Sequence, residues 1–206
     1  HGEKGEGIKL ANAPRISGQQ SWYIKRQLYN FKHGIRGNHP EDITGMQMRT
    51  MAMTLYTEND IDDIVAYIGT LDGRGKHSGI KGDIDSGKSS YSVCVTCHGA
   101  NGEGNTALNS PKIAGLPDWY VERQLHNFKK GIRGVHQKDI YGQQMRPMAM
   151  ALANDQAIRD VTVYVSTLKG VSKLQPAGVK SKKVAAVVKN PVSEPLYAPC
   201  ASCHGS

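Results

Sequence analysis

The chain has 206 residues, room for one to three domains, and its 38% hydrophobic and 6% aromatic content is lean for one large core. Small domains bury a low fraction of their surface, so an apolar cofactor would supply the missing core; no apolar run reaches membrane-spanning length. The formal charge of +8 is uneven: residues 1–71 balance at zero, while six basic side chains against one acidic fall in 169–206, which reads as a solvated linker rather than a docking strip for an acidic partner or an anionic membrane surface, and nucleic acid is not an expected partner.

In chain order, Ser21 to Lys32 alternates polar and apolar residues at helical spacing, with Gly34 as a stop, and predicts a helix. Residues 34–54 hold glycines and methionines without a clear period, and a loop wrapped around something is expected there. Thr57 is the predicted N-cap of an amphipathic run with Ile61, Ile64, Val65, Ile68 and Leu71 on one face. Residues 73–90, rich in Gly, Ser and Lys, are expected to form a flexible linker. After a second body of the same pattern, Asn154 opens a run through Ile158, Val161, Val165 and Leu168. Residues 170–196 mix Lys, Pro and Val and predict a semi-extended tether. Strand signals are absent, so the expected fold class is all-α.

An internal repeat organises these elements. Residues 1–71 and 98–168 align without a gap at an offset of 97, with 37 of 71 positions identical. The period is too long for a solenoid, so a duplicated domain is expected, spanning 1–72 and 91–169. A third copy begins at 197–206, where Tyr197 to Gly205 resembles Tyr91 to Gly99. The first copy starts at its histidine and the third stops after its own, as in a window cut from a longer protein.

Cys94-Val-Thr-Cys97-His98 is a c-type haem attachment signature, and Cys200-Ala-Ser-Cys203-His204 repeats it. On a helix, residues three apart lie on one face, so both sulfurs reach the two vinyl groups of one porphyrin, and the adjacent histidine meets the iron. A zinc site from the four cysteines is the weaker reading, because the pairs lie about a hundred residues apart and each is followed by His-Gly. A second axial ligand must recur in both copies. Met48, Met51 and Met53 match Met145, Met148 and Met150, and His39 matches His136.

These motifs resemble the class I cytochrome c family, especially tandem two-haem bacterial members. The similarity runs through Cys94-x-x-Cys97-His98-Gly99, Pro111 to Gly115, Tyr120-x-x-x-Gln124-Leu125, Phe128, Gly131-x-Arg133 and Met145-Arg-Pro147-Met-Ala149. The resemblance implies tandem all-α cytochrome c domains carrying haem c at two or three sites. It assigns His1, His98 and His204 as proximal iron ligands and Met48 and Met145 as distal ones. Thr50 stands where the second copy has Pro147. Cys94, Cys97, Cys200 and Cys203 would form the thioethers, Pro14 and Pro111 would orient the histidines, and Arg49 and Arg146 would reach haem propionates. The implied function is electron transfer between a donor and an acceptor redox protein in the periplasm or another extracytoplasmic space. A membrane-bound respiratory complex is one candidate partner. An electron-entry subunit of a larger oxidase or dehydrogenase, or a unit of a multihaem wire assembled as an oligomer or filament, is the alternative. A haem peroxidase or reductase, with His39 and Arg36 or His136 and Arg133 at an open iron, is the weaker reading.

Overall fold

The computed structural model describes residues 1–170. The expected tether and the third Cys-x-x-Cys-His, with Cys200, Cys203 and His204, lie outside the described residues. Seven helices occur among them: α1 (Ser21–Lys32), α2 (Ile43–Ala52), α3 (Glu58–Ile68), α4 (Ile84–His98), α5 (Asp118–Lys129), α6 (Ile140–Met150) and α7 (Asp155–Thr167). No strand is formed among the described residues, only two isolated bridges, Ile8 to Ala13 and Asn105 to Ser110. The fold is all-α, and no described helix is long and apolar enough to cross a membrane.

The chain divides into two compact units. Among the described residues, the first takes in 1–38 and 43–74, and the second 39–42 and 75–170. In the first unit, Ile24 and Leu28 of α1 meet Ile61, Ile64, Val65 and Ile68 of α3, with Leu55 between and Met48 packed against the cluster. The apolar stripe of α3 is therefore buried as its period demands. Its start is fixed by a capping box: the Thr57 hydroxyl accepts from Asp60 N, and the Asp60 carboxylate accepts from Thr57 N.

In the second unit, Tyr91 of α4, Val121 of α5, Leu152, and Ile158, Val161 and Val165 of α7 form the core, with Cys94 packed against it. The Asn154 side chain caps α7 by accepting from Ala157 N at 2.9 Å. Helices α4 and α7 approach closely because Gly87 faces the Asp160 backbone; a Cβ there would lie 2.6 Å from the Asp160 carbonyl carbon. The crossing is reinforced by the Tyr91–Tyr164 ring pair, centroids 5.2 Å apart. The buried Asp160 carboxylate adds to it, accepting from Asp83 N at 2.8 Å and Gln156 Nε2 at 2.7 Å.

Two expectations are corrected. The methionine stretch is not a loop: α2 and α6 run through it. Its period was hidden because these helices bury only small residues, Gly45 and Ala52 in one and Gly142 and Ala149 in the other. Residues 73–90 are not one free linker. Residues 84–90 already belong to α4. Before them the buried Asp118 carboxylate gathers Ser78 N (2.6 Å), Gly79 N (2.9 Å) and Ile80 N (3.1 Å), along with Trp119 N (2.8 Å).

Candidate haem site

In the first unit the His1 ring is 5% exposed and its Nδ1 donates to the Pro14 carbonyl at 2.6 Å. A carbonyl only accepts, so Nδ1 carries the proton, and in the neutral ring Nε2 is left with a bare lone pair. That Nε2 lies 3.4 Å from Met48 Sδ. A thioether sulfur also offers only lone pairs. In that neutral form the ring nitrogen and the thioether sulfur would both offer electron pairs from facing groups. That arrangement is satisfied by a Lewis acid such as iron.

The second unit presents the attachment residues on the last turn of α4. Tyr91 Oη donates to the Gly99 carbonyl at 2.8 Å and ties down the helix end. Burial and the neighbouring Cys97 push the Cys94 thiol up to about 11, and the two cysteines are not joined to each other. His98 is 8% exposed, and its Nδ1 donates to the Pro111 carbonyl at 2.8 Å. Burial lowers its pKa and outweighs the opposite pull of that hydrogen bond, so the ring stays neutral with Nε2 available. Pro14 and Pro111 therefore act through their carbonyls in both copies. Met145 holds the same place in α6 that Met48 holds in α2, the sixth residue of each helix.

A haem brings two propionate carboxylates, which need donors. Trp22 Nε1 and Arg49 Nε are buried, with no hydrogen-bond partner among the described groups. Arg49 Nη1 is fixed at 2.9 Å by Asn38 Oδ1. Arg146 turns its Nε to the Phe128 carbonyl at 3.4 Å, since Val135 replaces Asn38 in that copy. Leaving buried donors unmade costs about 1–3 kcal/mol each, so carboxylates at Trp22 and Arg49 fit the first unit. Paired thiols in the second unit, histidines fixed through Nδ1 in both, a methionine facing the histidine in the first and buried donors beside it together suit a c-type haem. Trp22 was missed as a site residue, although its recurrence as Trp119 was visible in the repeat.

The alternative ligands are placed otherwise. His39 Nδ1 accepts from Glu41 N at 3.2 Å, and His136 Nδ1 accepts from Lys138 N at 3.1 Å. In each, Nδ1 is thus an acceptor, the opposite of its role in His1 and His98. Arg133 lies over the Phe128 ring at 4.5 Å and donates to Gln124 Oε1 at 2.7 Å. His136 and Arg133 are thus engaged in separate local contacts rather than paired at an open iron.

Comparison with known proteins agrees with this reading. The cytochrome c family model matches twice, over residues 1–72 and 84–169. Cytochrome c4 of Azotobacter vinelandii is 28% identical over 184 residues, covering 83% of this chain and 82% of that protein. The thiosulfate dehydrogenase electron acceptor of Stutzerimonas stutzeri is 27% identical, covering 82% of this chain and 76% of the relative. The solved cytochrome c4 of Acidithiobacillus ferrooxidans superposes with a TM-score of 0.61 at 25% identity, covering 77% of this chain and 90% of that one.

Proposed function

The chain belongs to the cytochrome c family, and on that premise we propose that its two units each hold one haem c between a histidine and a methionine. It is an electron-transfer protein with covalently bound haem, a carrier rather than an enzyme. The pairs are His1 with Met48 and His98 with Met145, and Cys94 and Cys97 supply the thioethers of the second unit. Cys200, Cys203 and His204 would serve a further haem. When bound, the haem iron supplies the one-electron chemistry. The chain's own residues orient and insulate it. The Pro14 and Pro111 carbonyls hold each histidine in the liganding tautomer. The cores of α1 and α3, and of α5 and α7, keep water from the site. A thioether opposite an imidazole favours the reduced metal and raises the potential relative to two histidines.

The observation that carries this reading is His1 Nε2 facing Met48 Sδ with Nδ1 already committed to Pro14. The partners are a redox donor and acceptor. A dehydrogenase that delivers electrons one at a time is the donor class we favour, supported by the likeness to an electron acceptor of thiosulfate dehydrogenase. We place the protein outside the cytoplasm, in the periplasm or another such space, as the Cys-x-x-Cys-His attachment motif suggests.

The test uses the oxidised holo-protein. It should show the weak long-wavelength band of a sulfur-to-iron bond, reduced by Met48→Leu and by Met145→Leu and abolished by both. Cys94→Ala with Cys97→Ala should remove one covalent haem on a haem-stained denaturing gel. If Met148→Leu diminished the band and Met145→Leu did not, the assigned register would be wrong.

A further inference from the structure

All seven methionines of the chain fall within residues 46–53 and 145–150. One in each unit, Met48 or Met145, occupies the sixth position of its helix. Five residues further on, Met53 and Met150 stand in solvent at 55% and 56% exposure. Met53 directly follows the end of α2, and Met150 is the last residue of α6. A large apolar side chain left in water forgoes about 1.5–3 kcal/mol of burial. Packing therefore does not account for this pair, yet it keeps its register in both copies although nearly half of the aligned positions differ.

Thioether oxidation needs a sulfur lone pair and access for the oxidant. Met53 and Met150 have the most access, while Met148, at 38% exposure, has less. Met48 is packed against the core of the first unit with its sulfur turned to His1. We propose that Met53 and Met150 are the modification sites at which peroxide-class oxidants are taken up, sparing Met48 and Met145; this rests on reading the latter two as iron ligands. In the step, a sulfur lone pair attacks one oxygen of the peroxide and the O–O bond breaks. A sulfur–oxygen bond forms, and the other oxygen leaves as water once protons have transferred. Sulfur is oxidised by two electrons and the peroxide is reduced by the same two. The sulfoxide formed at Met53 or Met150 remains in water and disturbs no core. At Met48 it would place a polar oxygen against Ile24, Leu28 and their neighbours.

The experiment treats oxidised holo-protein with a limiting amount of hydrogen peroxide. Peptide mass mapping follows sulfoxide at each methionine, while the long-wavelength band follows the sulfur-to-iron bond. Sulfoxide should appear first at Met53 and Met150 with the band intact. In the Met53→Leu/Met150→Leu variant the band should be lost sooner at the same peroxide dose. Sulfoxide arising at Met48 or Met145 as early as at Met53 and Met150 would overturn the proposal, as would a variant whose band decays no faster. A band missing from untreated protein would instead refute the ligand assignment, leaving the order of oxidation to be read from the masses.

Discussion

Replacing Gly87 by alanine sets two physical effects against each other. Alanine is the better helix former by about 0.8–1 kcal/mol, so propensity alone makes the substitution stabilising. The packing says otherwise. A Cβ at Gly87 would meet the Asp160 carbonyl oxygen, and would lie 2.6 Å from the carbonyl carbon and 2.9 Å from Tyr164 Cβ. Carbon atoms pack at about 3.5–4.0 Å, so α4 and α7 would have to part by roughly 1 Å. The obstacle is mostly backbone, and no side-chain rotation relieves it. Separation also loosens the Tyr91–Tyr164 pair and stretches the Asp83 N to Asp160 bond. Overpacking of this kind costs about 1–3 kcal/mol, occasionally more, and the absence of an escape route puts it at the upper end. The expected net is a destabilisation of about 2 kcal/mol, or a fall of about 8–16 °C in the melting temperature of a unit this size. Thermal unfolding of the holo-protein, followed by circular dichroism, reads it. A melting temperature that is unchanged or higher would show that α4 and α7 do not cross at Gly87.

Asp118 provides a second test. Burial alone would raise its pKa, but hydrogen bonds from Ser78, Ile80 and Trp119 outweigh it and hold the carboxyl below its usual range. A depressed carboxylate stabilises the fold above its unfolded pKa, near 3.9, and that contribution is lost as pH falls through the lower folded value. Asp118→Asn should flatten the acid limb of the stability curve of the second unit, measured by urea unfolding. At neutral pH, trypsin should cut the parent chain at Arg74 and Lys76 well before Lys81, and Asp118→Asn should remove that delay; equal rates in the parent chain would refute the clamp. His136→Ala should leave the visible spectrum unchanged and carbon monoxide binding slow, because its Nδ1 is occupied by Lys138 N. Rapid carbon monoxide binding with peroxidase turnover that falls in this variant would overturn the carrier assignment.

How much of this was legible in the sequence depends on what kind of signal each element sends. The stripe of α3 and the caps at Thr57 and Asn154 announce themselves because burial and capping are local patterns. Cys94, Cys97 and His98 are legible because attachment chemistry fixes their spacing. Helices α2 and α6 were hidden for a physical reason. Glycine and alanine make their buried contacts, while Ile43, Ile140, Met53 and Met150 are exposed, which inverts the usual apolar pattern. Pro147 within α6 added a second misleading sign. The pinning of residues 78–80 could not be read locally either, because its agent, Asp118, lies about forty residues away.

The two copies have diverged in a way that bonding explains. Groups that touch tend to be kept together: Arg36 with Gln27 and Phe31 is matched by Arg133 with Gln124 and Phe128. His1 with Pro14 is matched by His98 with Pro111. Lys32 donates to the Tyr56 carbonyl, and its counterpart Lys129 to the Leu152 carbonyl, which matches Leu55, one residue earlier in the repeat. Changing one member of a buried pair strands the other at about 1–3 kcal/mol, a large share of the stability of a small domain. The positions that differ are those where a group can be re-satisfied on its own. With Val135 in place of Asn38, Arg146 finds the Phe128 carbonyl. With Thr50 in place of Pro147, the hydroxyl returns to the Met46 carbonyl at 3.1 Å. With Asp118 in place of Ser21, the carboxylate recruits Ser78 N and Gly79 N from the segment before its own unit. Both units therefore offer the same histidine, methionine and aromatic groups, while the surroundings of each arginine were free to change.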